Sequence, residues 1–128
     1  MAVMATAPLW DSEDRDGKGP LGVTVQRDQD ALVVVAVGEV DMHTAPTLSD
    51  ALDFALARTP PLLVVDLSDV TFLASAGLSL LVTAHQQAGE HTKFRVVATA
   101  HAILRPIQIT ALDTLLAIYS SRDRAVAG

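Results

Sequence analysis

The chain has no cysteine and few aromatic side chains, and each of these absences excludes a class of site. Without cysteine among its 128 residues, it has no disulfides, thiol catalysis, iron–sulfur clusters or zinc-thiolate sites. Aromatic residues make up only 4%, too few for the stacking platforms by which single-strand binders hold bases. Basic residues are also scarce, with nine Lys and Arg against 15 Asp and Glu, a net charge of −6. Such a chain repels phosphate backbones, which disfavours non-specific nucleic-acid binding.

Long apolar runs are missing as well. The longest uninterrupted runs, such as residues 31–37, fall far short of the roughly 20 residues that a membrane-spanning helix needs. The opening segment MAVMATAPLW lacks the basic region of a secretory signal. These features predict a soluble, cytoplasmic protein.

The composition that is present predicts one folded domain. Half of the residues are hydrophobic and 19% are charged, which excludes disorder for most of the chain. Residues 11–19 are polar, carry charges of both signs and include two glycines. We therefore expect a flexible tail over residues 1–19 and a single domain over residues 20–128.

Hydrophobic periodicity alternates along this domain between strand-like and helix-like spacing. It predicts strands around 23–25 and at 31–37, 62–67, 94–98 and 115–119, a connector at 70–74, and helices at about 46–58, 75–89, 101–110 and 122–127. Thr44 or a neighbour is expected to cap the first helix. This order predicts an α/β domain with a mixed sheet, because the first two strands form an antiparallel hairpin and helices separate the later ones. The predicted core comprises Leu32, Val34, Ala36, Leu52, Leu63, Val65, Leu81, Val96 and Ile118.

The polar residues match no familiar catalytic or metal motif. The sequence contains no GxxxxGK[ST] or GxSxG pattern, and no glycine-rich turn follows the predicted strand at 62–67, so we expect no cofactor. No pair among His43, His85, His91 and His101 has metal-ligand spacing, so we expect no metal. Ser75 stands out because it begins a predicted helix after a strand and a short loop. Physical chemistry favours a helix cap there, while the same position also suits a phosphate.

Charge is distributed unevenly along the chain. Residues 28–69 contain one base, Arg58, and the acids Asp28, Asp30, Glu39, Asp41, Asp50, Asp53, Asp66 and Asp69. Residues 93–124 contain the acids Asp113 and Asp123, and the bases Lys93, Arg95, Arg105, Arg122 and Arg124. Such asymmetry can steer a protein partner. Glu39, Asp41, Asp66 and Asp69 are expected to follow strand ends, where α/β sheets usually place their sites.

Three blocks carry a resemblance to a known family. Segment 37–46, VGEVDMHTAP, is similar to the G-[DE]-[LIV]-D-x-x-[ST]-A pattern of STAS domains in bacterial anti-sigma factor antagonists. Segment 64–78, VVDLSDVTFLASAGL, is similar to their strand, V-x-F-[ML]-D-S-[ST]-G-L loop and helix start, and 104–119 to their closing helix, turn and strand. The resemblance spans roughly residues 21–121. It implies a single STAS-like domain with helices mainly on one face of the sheet.

The resemblance also implies a role for particular residues. It places the serine that a partner kinase phosphorylates at Ser75, and it implies partner-binding positions at Glu39, Asp41, Thr44, Ala74, Ser75, Ala76 and Gly77. Glu39 and Asp41 would lie in a loop beside the phosphorylation site. Two positions depart from the pattern, since Ala74 replaces the family's Asp and Ala76 its [ST]. Both a phosphorylated switch and a constitutive binder therefore stay open.

The resemblance implies a non-enzymatic partner-switching regulator of transcription. It would bind an anti-sigma factor that is a serine kinase and so free a sigma factor, without direct contact to nucleic acid or membrane. One alternative is a STAS module that senses a nucleotide or small anion at the helix start. Another is a small hydrolase that uses Ser75, although no neighbouring residue is an evident base.

Overall fold

A computed structural model describes residues 7–12 and 20–128. The elements are β1 (Trp10–Asp11), β2 (Leu21–Asp28), β3 (Ala31–Val40), α1 (Ala45–Leu56), β4 (Leu62–Leu73), α2 (Ser75–Ala88), β5 (Lys93–Val97), α3 (His101–Ile109), a 3-10 helix (Leu112–Thr114), β6 (Ala117–Tyr119) and α4 (Arg122–Ala127). The six strands form one sheet in the order β1-β2-β3-β4-β5-β6. The first three are antiparallel to their neighbours, whereas β3 to β6 run parallel. The predicted mixed α/β sheet is confirmed.

Three helices cover one face of the sheet. Alternate residues of a strand point to opposite faces, and the even-numbered residues of β3 pack with α1, α2 and α3 in the main core. All the predicted core residues are buried except Ile118, which is only partly buried because it lies on the short edge strand β6. The helices thus lie mainly on one face, as expected.

The fourth helix packs on the opposite face. Ala125 of α4 is buried against Val33, Val64 and Val97, one residue from each of three neighbouring strands. The Arg95 guanidinium donates a 2.7 Å hydrogen bond to the Ala125 carbonyl, which holds the end of α4 on the sheet.

Strand β4 is longer than predicted. It continues to Leu73, so the predicted end at 67 and the connector at 70–74 are wrong. Its pairing with β3 shifts twice, between the pairs Val35/Asp66 and Val37/Asp69 and again beyond Gly38/Val70. Each shift accommodates one extra residue of β4. Val70 and Leu73 of this extension therefore still reach the core although their spacing in the sequence is irregular.

Strand β3 also extends beyond its predicted end. Gly38 lies inside the strand with φ +120°, where a Cβ would overlap the Pro20 carbonyl. The Glu39 amide donates to that same carbonyl at 2.9 Å. Glycine is needed here because the chain passes so closely, and the strand continues to Val40.

The segment predicted as a tail contains one short strand. Trp10 and Asp11 pair with Val25 and Thr24 at the edge of the sheet. A strand of two residues is too short to be predicted from hydrophobic periodicity. The structure also describes residues 7–9 and 12 of the predicted tail. Residues 1–6 and 13–19 lie outside the described residues. The predicted domain boundary at residue 20 stays a prediction.

Candidate functional site

Two strand ends and one helix start meet at the carboxyl edge of the sheet. Glu39 of β3 is the register partner of Phe72 in β4. One residue further, the Ala74 amide donates a 2.9 Å hydrogen bond to the Val40 carbonyl. Helix α2 begins immediately afterwards at Ser75. The acidic end of β3 and the predicted phosphorylation site are therefore neighbours.

Ser75 is the first residue of α2 rather than its cap. Ala74 occupies the N-cap position with extended backbone angles, φ −82° and ψ 172°, and its carbonyl accepts from the amides of Gly77 and Leu78. The prediction that Ser75 caps the helix is wrong because the chain turns one residue earlier. The Ser75 side chain is exposed, and in the described part of the chain its hydroxyl has no hydrogen-bond partner. The Ser75 hydroxyl is therefore accessible at the surface.

The hydrolase alternative finds no support in this geometry. A serine nucleophile needs a base within hydrogen-bond reach. Across residues 7–12 and 20–128, neither a histidine nor a carboxylate hydrogen-bonds to Ser75. Within the same ranges, no three His, Asp or Glu side chains converge as metal ligands.

The start of α1 is capped by a reciprocal pair. The Asp41 carboxylate accepts from the Thr44 amide at 3.0 Å and the His43 amide at 2.8 Å. The Thr44 hydroxyl in turn accepts from the Asp41 amide at 2.9 Å. This exchange over three residues is a capping box. Thr44 occupies the N-cap position of α1, as predicted, but its side chain bonds to no amide of the helix; the Asp41 carboxylate instead accepts from amides of the turn before it.

These contacts also set the acidity of Asp41. The Thr44 amide is the largest cause that holds the pKa of the Asp41 carboxyl below its usual value; partial desolvation opposes it, and the His43 amide, the Thr44 hydroxyl and the charge of His43 assist. Donors that bind the ionised form favour it. Asp41 is thus a carboxylate whose charge is fixed by its own loop.

The four acidic residues singled out in the sequence do not all follow strand ends. Glu39 lies within β3 rather than in a loop, and Asp66 and Asp69 lie within β4 because that strand is extended. Asp66 accepts hydrogen bonds from the Ser68 amide and hydroxyl. Only Asp41 follows a strand end. Glu39 and Asp41 lie nearest to the start of α2.

The predicted partner-binding residues differ in exposure. Glu39 and Ser75 are exposed, and Asp41, Ala74 and Ala76 are half-buried. Thr44 and Gly77 are buried. A Cβ on Gly77 would lie 2.5 Å from the Leu73 side chain and 2.7 Å from that of Val40. Glycine therefore lets α2 approach the ends of both strands.

Two exposed apolar side chains flank the site and were not predicted as partner-binding residues. Met42 is 72% exposed and Phe72 is 50% exposed. Met42 also lines a shallow groove of about 380 Å³ between α1 and α2, together with Ala76 and Leu80. Both residues break the apolar periodicity of the neighbouring core positions, which is the signal that could have identified them.

Fold and site together describe one α/β domain with an exposed serine at a strand-to-helix junction. The family model described as "STAS domain" matches residues 22–125, and the chain belongs to the STAS domain family. In the described residues, no helix is long and apolar enough to cross a membrane.

Similar proteins from bacteria are named as antagonists of anti-sigma factors. The chain is 36% identical over 111 residues to "Anti-sigma-F factor antagonist RsfB" of Mycobacterium tuberculosis, which covers 85% of this chain and 91% of the relative. It is 28% identical over 94 residues to "Anti-sigma-B factor antagonist" of Listeria monocytogenes, covering 73% and 82%. The crystal structure of an anti-sigma factor antagonist from Mycobacterium paratuberculosis superposes with a TM-score of 0.81 at 40% identity, covering 84% of this chain and 92% of that one.

Proposed function

We propose that this protein is an anti-sigma factor antagonist. It binds an anti-sigma factor and thereby frees a sigma factor for transcription, acting in the cytoplasm as a binding protein rather than as an enzyme. The names of its relatives support the general role. The observation that carries the proposal is the placement of an exposed serine beside the acidic end of β3.

The partner-facing surface, in this proposal, is formed by Glu39, Asp41, Ala74, Ser75 and Ala76. Buried Thr44 and Gly77 contribute by holding that surface in place. An exposed acidic side chain such as Glu39 steers a basic partner and raises its association rate. Met42 and Phe72 supply the apolar area that fully desolvated contacts need.

The partner is an anti-sigma factor with serine kinase activity, and Ser75 is the residue that it phosphorylates. The kinase transfers the γ-phosphoryl group of ATP to the Ser75 oxygen, which loses its proton, and ADP leaves. The new group adds close to two negative charges. It would be tolerated by the fold because it meets the amide-rich start of α2. Next to Glu39 and Asp41 the phosphate would be repelled by their like charges, which would change this surface and weaken the complex.

The test combines phosphate mapping with binding. The protein and its Ser75→Ala, Ser75→Asp and Ser79→Ala variants are incubated with ATP and each anti-sigma factor kinase from the same genome. Ser79 is a matched control because it is an exposed serine one turn further along α2. We expect phosphate on Ser75 alone, full binding by Ser75→Ala and Ser79→Ala, and loss of binding by Ser75→Asp.

Other outcomes discriminate among the possibilities. Binding without phosphate on Ser75 would leave an antagonist and remove the switch, which the replacement of the family's Asp by Ala74 makes worth testing. Binding of ATP by the protein alone, with no affinity for any anti-sigma factor, would instead support the ligand-sensing module.

The role of Glu39 is tested by charge reversal. Glu39→Lys should reduce the association rate with the anti-sigma factor, and added salt should reduce the difference from the unmodified protein. Thermal stability should change little, because exposed substitutions usually shift it by less than about 0.5 kcal/mol. Asp53→Lys, an equal change on the exposed side of α1, is the control. Identical association rates for both variants would remove Glu39 from the interface.

A further inference from the structure

We propose that Thr44 is a positioning residue whose hydrogen bonds with the Asp41 loop fix the helix start that carries Ser75 relative to Glu39. The functional meaning of this inference rests on the proposed function. Its main test uses the protein alone, so the two can fail separately.

The first step of the argument is the hydroxyl of Thr44 itself. It donates to the Glu39 carbonyl at 2.8 Å and accepts from the Asp41 amide at 2.9 Å. One side chain thus joins the backbone on both sides of Val40. The Asp41 carboxylate closes the loop by accepting from the Thr44 amide, and the Ala45 amide donates to the Asp41 carbonyl at 2.8 Å.

The second step links this loop to α2 through Val40. The Val40 carbonyl accepts the hydrogen bond from the Ala74 amide, one residue before Ser75. The Val40 side chain packs against Gly77, and the space between the two residues is too small for a Cβ on Gly77. The position of Val40 therefore determines where the first turn of α2 lies.

The third step separates positioning from direct contact. Thr44 is only 7% exposed, so a partner reaches little of it. Valine has nearly the same shape as threonine but lacks the hydroxyl, whereas serine keeps the hydroxyl and lacks the methyl group. The Thr44→Val and Thr44→Ser pair thus distinguishes hydrogen bonding from packing.

A matched control is available at the other end of the sheet. Thr92 is also buried, and its hydroxyl donates a 2.7 Å hydrogen bond to the Pro60 carbonyl. Thr92→Val removes a comparable hydrogen bond far from the site. It reports the effect of general destabilisation on the same amides.

The experiment is residue-resolved amide hydrogen exchange on the full chain. Thr44→Val should accelerate exchange of the Asp41 and Ala74 amides by about tenfold relative to Thr92→Val, as expected for the loss of about one net hydrogen bond. Thr44→Ser should restore both amides to within about twofold of the unmodified protein. The Ala74 amide is the decisive readout, because it does not contact Thr44.

Three results would overturn the inference. One is an Ala74 amide that exchanges equally in Thr44→Val and Thr92→Val; another is failure of Thr44→Ser to restore it. The third is unchanged affinity of Thr44→Val for an anti-sigma factor that binds the unmodified protein. If no anti-sigma factor binds the unmodified protein, the proposed function fails, and the exchange experiment still decides whether Thr44 positions the start of α2.

Discussion

The neighbouring β3–α1 and β4–α2 junctions at the carboxyl edge of the sheet are built differently. Between β3 and α1, Asp41 and Thr44 exchange hydrogen bonds and so close the turn that precedes the helix. Between β4 and α2, the N-cap is Ala74, which has no side-chain acceptor to offer. One junction is closed by its own side chains, whereas the other has no side-chain cap and leaves the Ser75 hydroxyl exposed.

The two junctions therefore differ in function: one stabilises a helix start, and the other leaves a helix start accessible to a ligand. A capped first turn contributes to folding but has little left to offer a ligand, because its amides are already bonded. An uncapped first turn is less stable and attracts anions. The protein combines the two within a few ångströms, joined by the 2.9 Å hydrogen bond between Ala74 and Val40. The closed junction supports the open one.

The largest effect is expected from filling the space between the junctions. Gly77→Ala would place a Cβ against Leu73 and Val40 and should lower the free energy of unfolding by about 1–3 kcal/mol, measured by urea denaturation. Gly22→Ala is the control, since a Cβ there meets nothing within 4 Å. Equal stability of the two variants would contradict the close approach of α2.

A smaller effect, an increase in stability, is expected from adding a side-chain cap at the start of α2. Ala74→Asp supplies a side-chain oxygen at an N-cap that already has extended backbone angles, and it should raise the free energy of unfolding by roughly 0.5–2 kcal/mol. Ala100→Asp makes the same change at α3, whose N-cap is also an uncapped alanine. Both variants should be stabilised, whereas only Ala74→Asp should alter Ser75 phosphorylation. A loss of stability in Ala74→Asp alone would mean that the junction does not accept a cap.

The smallest effect is a pH dependence at the closed junction. The pKa of Asp41 is lowered in the folded protein, so the ionised carboxylate contributes to the free energy of unfolding. This contribution is complete above the unfolded pKa of about 4 and is lost as the pH falls through the folded pKa. The stability difference between the unmodified protein and Asp41→Asn should therefore be constant near neutral pH and shrink below about pH 4.

Urea midpoints measured across this range test the pH dependence. Asp53→Asn is the control, because Asp53 is an exposed acid on the nearby helix α1. Its side chain has no hydrogen-bond partner among residues 7–12 and 20–128. A stability difference for Asp41→Asn that stays constant to pH 2 would contradict the role of the carboxylate.

Much of the fold could be predicted from the sequence, because its core obeys simple periodicity. The run 62–67 and the helical spacing of Leu48, Leu52 and Ala55 identify β4 and α1 without tertiary information. The extension of β4 could not be predicted in this way. Val70 and Leu73 are three residues apart and face the core only because the strand is irregularly paired, so their spacing resembles a loop.

The candidate site was predictable in position but not in its internal chemistry. The resemblance to STAS domains located Ser75 and Glu39 on neighbouring elements. Thr44 occupies the predicted N-cap position before Ala45 and Pro46, whereas its exchange of hydrogen bonds with Asp41 was not predicted. Met42 and Phe72 carry a weak sequence signal, because they fall outside the apolar periodicity of the neighbouring core positions, but their exposure was not predicted.

The attachment of α4 has a consequence for the solubility of the protein. This six-residue helix covers Val33, Val64 and Val97 and is held by the Arg95 contact with Ala125. Without it, three valines from adjacent strands would form a flat apolar patch, the kind of surface through which sheets stack and proteins aggregate. This short helix thus covers a surface through which copies of the domain could associate, and Arg95 holds it there together with the 3.2 Å ion pair between Arg122 and Asp28.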